Sequence, residues 1–196
     1  MGPVLLAILV GIVFVLRATG TAVPSASDEP HRARGPKGAP IQIVEFSDFQ
    51  CPACKTAQAK LSQLLNQYPG AIRLVYFHFP LPGHVWSPLA HRAAECASFQ
   101  DKFWTYHDKL YAGQETWSKS LDPPVEAFLT YAKEGDIPDL NEFARCLGDV
   151  KVDKKILQEK ETGLGLGVRS TPSFFVNGDL VVGMDGLVEK IKKIRN

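Results

Sequence analysis

The clearest chemistry in this chain sits in Cys51-Pro52-Ala53-Cys54, two thiols with two residues between them. At that spacing the sulfurs come close enough to bond. If the pair opens a helix, the first thiol meets unpaired amide groups and the positive end of the helix dipole. Its thiolate is then stabilised, and the thiolate is the nucleophile. Cys51 is therefore the candidate attacking group, and Cys54, one turn inside, the candidate that resolves a mixed disulfide. A static disulfide or half of a zinc site is the plain alternative.

Glu45 stands six residues before Cys51, in an otherwise apolar run. Burying a carboxylate there is costly. Burial raises its pKa, which suits a group that passes a proton to or from Cys54. Ile43 shares its face by strand alternation, which predicts that the face is buried; an outward-pointing side chain is the alternative. Thr171-Pro172 precedes another apolar run. Proline at a strand start is ordinary, but a cis bond there would turn the Thr171 backbone toward a docking peptide.

These groups need elements to hold them. Ile41–Phe46 is β-branched and apolar, a buried strand. Ser47–Gln50 is the turn after it. Ala53, Ala57, Leu61, Leu64 and Leu65 recur at helical spacing, predicting a helix over Pro52–Tyr68 that Pro69-Gly70 ends. Proline fits its first turn because no amide donor is needed there. A second strand covers Ile72–Phe79. Helical spacing then marks Pro88–Phe99, Phe103–Tyr111, Pro124–Lys133, Leu140–Leu147 and Val152–Leu164. Ser173–Val176 and Asp179–Val182 flank Asn177-Gly178, a strong hairpin-turn signal. Leu187, Val188, Ile191 and Ile194 make a last helix with Asp185 as its cap. The order is strand, helix, strand, a block of helices, hairpin, helix. We read 41–82 and 167–196 as an α/β core of thioredoxin fold, and 83–166 as an inserted helical subdomain.

The chain has 196 residues, enough for one core with an insertion. Its 22 Lys and Arg nearly balance 21 Asp and Glu, which gives no reason to expect a nucleic-acid partner. Val4–Leu16 is almost wholly apolar and too short for an ordinary membrane span, and small residues follow it. Residues 1–22 thus read as a signal peptide or a short anchor, which implies export. Residues 23–40, with His31–Lys37 at their basic end, read as a solvated linker. The four cysteines permit two disulfides in an exported chain, or a zinc site that their spacing disfavours. No metal or cofactor is expected.

Two stretches, Ile43-Val44-Glu45-Phe46-Ser47-Asp48-Phe49-Gln50-Cys51-Pro52-Ala53-Cys54 and Gly167-Val168-Arg169-Ser170-Thr171-Pro172-Ser173-Phe174-Phe175-Val176-Asn177-Gly178, resemble the DsbA-like branch of the thioredoxin superfamily. Ala93-Ala94-Glu95-Cys96-Ala97 and Phe103-Trp104-Tyr106-His107 add to the likeness. The resemblance implies that Cys51 is the nucleophile, Cys54 the resolving thiol, Glu45 the buried acid, and Pro172 a cis-proline preceded by the substrate-facing Thr171. It also implies that Cys96 and Cys146 form a structural disulfide in the helical subdomain; their small neighbours, Ala93, Ala94, Ala97 and Ala144, suit close helix approach. Strongly oxidising members carry His before the second active-site cysteine, where this chain has Ala53. The implied function is a thiol–disulfide oxidoreductase donating disulfides to exported proteins with thiols, as a periplasmic or extracytoplasmic monomer. A membrane partner of the DsbB or vitamin K epoxide reductase type would reoxidise it. A reductase or isomerase fed by a membrane electron donor is the alternative.

Overall fold

The computed structural model describes residues 22–25 and 29–195. The apolar run Val4–Leu16, read as a signal or anchor, lies outside them. Among the described residues no helix is long and apolar enough to cross a membrane.

Strands Ala33–Arg34 (β1), Ile41–Ser47 (β2), Ile72–His78 (β3), Ser173–Val176 (β4) and Asp179–Val182 (β5) form a sheet in the order β1-β3-β2-β4-β5. Central β2 runs parallel to β3 and antiparallel to β4, placing Glu45 opposite Tyr76 on one side and Phe174 on the other. Strand β2 connects to β3 through helix Pro52–Gln67 (α1). The β4–β5 hairpin turns on Asn177 and Gly178, whose φ angles are 50° and 94°, the left-handed pair such a turn requires. Helix Gly183–Arg195 (α8) closes the chain. It starts directly after β5, so Asp185 lies in its first turn and is not the expected cap.

Between the two halves come Ser87–Ser98 (α2), Phe103–Ala112 (α3), Gln114–Trp117 (α4), Val125–Glu134 (α5), Leu140–Cys146 (α6) and Val150–Gly165 (α7). The short α4 was not anticipated, because one turn has no apolar period to read. The other elements agree with expectation to within two residues at each end, where helix ends fray.

Strand alternation divides the core. Ile41, Ile43, Ile72, Leu74, Phe174 and Val176 face α1 and α8, burying Ala57, Leu61 and Leu64 from one helix and Leu187 and Ile191 from the other. Val44, Phe46, Val75, Phe77, Phe79 and Phe175 fill the opposite face. There α7 comes so close that a β-carbon on Gly163 would stand 2.9 Å from the rings of both Phe46 and Phe79. The remaining helices pack a third cluster beside the cysteines, including Phe49, Tyr76, Phe103 and Trp117.

The linker reading of residues 23–40 needs correction. Pro30–Arg32 forms a 3-10 turn, and β1 pairs antiparallel with β3, Ala33 to Val75 and Arg34 to Leu74. The Arg32 guanidinium is fully buried. It pairs with both oxygens of Glu159, with Glu29 at 2.8 Å and with Glu95 at 3.4 Å. These carboxylates lift its pKa despite the burial that opposes charge. The fold therefore begins before Ile41, with Glu29 paired to Arg32 and Val23 packed against the core: a buried cation, which apolar periodicity does not reveal, anchors the stretch.

Candidate active site

Cys51 is the N-cap of α1, with extended backbone at φ −75° and ψ 121°, and Pro52 takes the first helical position. The turn leading to it is pinned by Asp48. Its carboxylate accepts from the Gln50 amide at 2.8 Å, the Ser87 hydroxyl at 2.7 Å and the Leu81 amide at 2.7 Å. His84 Nδ1 lies 2.8 Å from the same group. Burial pushes the Asp48 pKa up, but His91 and these donors prevail and hold it well below the usual carboxylate range. The Cys51 amide donates to the Asp48 carbonyl at 3.1 Å, so the anchored residue sets the cysteine directly. From the other side Gln114 of α4 donates to the carbonyls of Phe49 at 2.7 Å and Cys51 at 3.0 Å.

Cys51 and Cys54 are free thiols, and their environments differ. Cys51 retains 7% exposure, whereas Cys54 is fully buried. The Cys51 pKa is lowered to about 5, first by the hydrogen bond from Cys54, then by Thr171 and the amides of Cys54 and Ala53, against the effect of burial. Cys54 moves the opposite way: burial, then the hydrogen bond and charge of Cys51, raise it. One thiolate and one thiol share a proton, with the charge on the outer sulfur.

Thr171-Pro172 is a cis peptide, and the Thr171 carbonyl lies 3.6 Å from Cys51 Sγ. The structure thus brings Cys51, Cys54, Thr171 and Pro172 together from opposite ends of the chain. Glu45 is fully buried on the sheet face beneath α1. Gln58, one turn beyond Cys54, donates to its Oε1 at 2.9 Å. Burial raises its pKa to about 7, with Ser47, Gln58 and Arg34 opposing the rise. The Ser47 hydroxyl, 3.1 Å from that of Tyr111, favours the charged forms of both Glu45 and Cys54. Cys96 and Cys146 are bonded 5.8 Å apart at Cα, joining α2 to the end of α6.

Sequence reading missed Asp48 and Gln114. An acid just before a cysteine-bearing helix is a signal for the first; nothing local marks the second. It also missed a buried polar group behind the site. There His78 lies 2.7 Å from His91 and 3.1 Å from Glu95, and burial lowers the pKa of both histidines.

Fold and site together define a thiol–disulfide oxidoreductase domain of the DsbA-like class. A thioredoxin family model matches residues 27–193, and the chain belongs to that family. It is 32% identical over 171 residues to the probable disulfide bond formation protein D of Bacillus anthracis, covering 81% of this chain and 76% of that protein. It is also 38% identical over 157 residues to the Na(+)/H(+) antiporter NhaA 3 of Salinispora tropica, covering 80% of this chain but spanning only 23% of the antiporter's length. Among solved structures, a thioredoxin-like oxidoreductase from Silicibacter pomeroyi matches with TM-score 0.70 at 29% identity, over 86% of this chain and 94% of that one. BdbD from Bacillus subtilis shares the fold, with TM-score 0.74 at 22% identity over 88% and 95% of the two chains.

Proposed function

We propose that this chain donates disulfides to exported proteins through Cys51 and Cys54. The carrying observation is the asymmetry of the two thiols: charge on the outer sulfur, the proton on the inner one. A stabilised Cys51 thiolate favours the reduced protein and so makes its disulfide a stronger oxidant. A substrate thiolate attacks Cys51 of the disulfide form, the Cys51–Cys54 bond breaks, and Cys54 leaves with the electron pair. Glu45 gives the leaving sulfur its proton. A second substrate thiol then displaces Cys51, so two electrons pass from substrate to enzyme.

Thr171 and Pro172 edge the groove in which the substrate chain lies, and the Cys96–Cys146 bond is structural and does not turn over. The apolar run Val4–Leu16 supports export to a periplasmic or extracytoplasmic site. A membrane oxidase of the DsbB or vitamin K epoxide reductase type is the proposed acceptor, and a monomer the proposed state. Equilibration with glutathione tests the direction of flow. We expect a potential more oxidising than the glutathione couple, with Ala53 in place of His keeping it short of the strongest oxidants. A value near the thioredoxin range, about −270 mV, would instead assign the chain to the reductase alternative.

A further inference from the structure

The carboxyl of Glu45 is fully buried, and its two oxygens are treated differently. Oε2 finds no hydrogen-bond partner, whereas Oε1 accepts from the Gln58 amide at 2.9 Å. Gln58 stands four residues after Cys54 on α1, so the two share one face of the helix, a turn apart. The side chain that holds the acid and the thiol that is to take its proton are thus neighbours on one element. Gln58 differs from both in being only half-buried. It lines a cleft of about 260 Å³ between α1 and α3, with Lys55, Asp108 and Tyr111. One end of the amide therefore meets the buried acid while the residue itself borders open space.

We infer that Gln58 is a positioning residue for the proton step: its amide fixes the Glu45 carboxyl beneath α1 and gives it a partner in both protonation states. This rests on the reading of Glu45 as the proton partner of Cys54. Toward the carboxylate the amide donates an N–H. Toward the protonated acid, half a rotation about its last bond presents the carbonyl, which accepts the acid's O–H. When the Cys51–Cys54 bond breaks, Cys54 takes the electron pair as a thiolate and the Glu45 proton moves to it. Glu45 is left as a carboxylate, and Gln58 returns to donating. Gln58 itself neither gains nor loses a proton. Leu at this position would offer neither donor nor acceptor. Lys would offer only a charged donor, which holds Glu45 ionised.

The other groups that face Glu45 are committed. Tyr76 of β3, its register partner, is a phenol that burial and the charges of Glu45 and Cys54 keep protonated. Tyr111 of α3 is held protonated in the same way and bonds Ser47. Ser47 of β2 and Arg34 of β1 favour the carboxylate, but Arg34 is engaged with Asp108 at 3.2 Å and lies 4.0 Å over the Trp104 ring. Lys55 of α1 pairs with Glu115 at 2.7 Å. Gln58 combines a direct bond to the acid with an uncharged amide that can serve either form.

Single-turnover reduction of the disulfide form by a thiol peptide, followed by tryptophan fluorescence from about pH 5 to about pH 9, tests this role. At each pH the rate is divided by that of Glu45→Gln, which cancels the titration of the peptide thiol and leaves the share of the acid. That ratio falls as Glu45 loses its proton. Gln58→Leu removes the donor to the carboxylate, so the midpoint of the fall should move up by at least about half a pH unit; Gln58→Lys adds a cation, so it should move down by about one unit or more. A merely structural loss would slow the step alike at every pH and move neither midpoint. Midpoints that stay with the parent's in both variants, or that move in the same direction, overturn the role. Should Gln58→Leu fail to fold, Gln58→Met carries the upward arm. The Glu45→Gln comparison separates the two readings. A parent ratio near one at every pH shows that Glu45 supplies no proton, and the role of Gln58 falls with it. A parent ratio that titrates, with midpoints that both Gln58 variants leave in place, overturns the role of Gln58 alone.

Discussion

Replacing Arg32 by Met should be among the most destabilising single changes outside the apolar core. Arg32 is fully buried and faces Glu159, Glu95 and Glu29. Met fills much of the volume but removes the cation. Lys155 still holds Glu95 at 2.8 Å and Glu29 at 2.9 Å. Glu159 keeps only the His78 amide at 2.7 Å. Three carboxylates then share one ammonium, and Glu159 carries an uncompensated buried charge. Breaking a buried pair in this way costs about 3–5 kcal/mol, against a total stability of about 5–15 kcal/mol. The urea midpoint should fall by about 1–2 M with little change in slope. The loss should also depend on pH. Burial already raises the Glu159 pKa, with Arg32 opposing that rise. Without Arg32 it rises further, so the folded variant binds a proton the unfolded chain does not. That proton relieves the defect as pH falls; the destabilisation should be smaller near about pH 5 than near about pH 8. Glu159→Gln in the Arg32→Met background should recover part of the loss. A midpoint shift under about 0.3 M, or a double variant whose losses simply add, would refute the reasoning and return residues 30–34 to a linker.

Three further outcomes are expected. In the reduced protein, iodoacetamide should modify Cys51 well before Cys54, with a half-point near pH 5; peptide mapping that finds Cys54 labelled first would reverse the roles. Glu45 has a folded pKa of about 7 against an ordinary value of 4.5, so the native state loses stability as pH rises through that window. Glu45→Gln should therefore be more stable than the parent above about pH 7 and equal to it below about pH 4, by denaturant melts at each pH; a constant difference would show that the carboxyl titrates normally. Removing the Cys96–Cys146 bond, which closes a separation of 50 residues, should cost up to about 4 kcal/mol in the chain-entropy model while thiol exchange at Cys51 continues. Loss of exchange without loss of thermal stability would make that pair catalytic.

Much of the scaffold was legible because its signals are local. β-branched runs mark β2 and β3, Asn177-Gly178 marks the hairpin, and Pro52 at a helix start marks the thiol pair. The depth of Glu45 followed from the alternation it shares with Ile43. What stayed hidden was polar and long-range. Arg32 sits in a Pro- and Gly-rich stretch whose composition is that of a linker, and its partner Glu159 is 127 positions away. His78, His91 and His107 carry no pattern that separates a buried imidazole from an exposed one. Gly163 reads as an indifferent helix residue until the rings of Phe46 and Phe79 are set against it.

The central strand has a consequence for how the molecule comes into being. Strand β2 is flanked on one side by β3, its near neighbour in sequence, and on the other by β4, made only after the whole helical block. The Thr171 carbonyl that meets Cys51 belongs to a residue 120 positions later. A growing chain therefore carries its paired thiols long before it owns the backbone that packs beside them. Through that interval the edge of β2 that pairs with β4 lies bare. A product ending anywhere in the helical block would carry both thiols but lack the Thr171 carbonyl beside Cys51, one of the groups that lower its pKa.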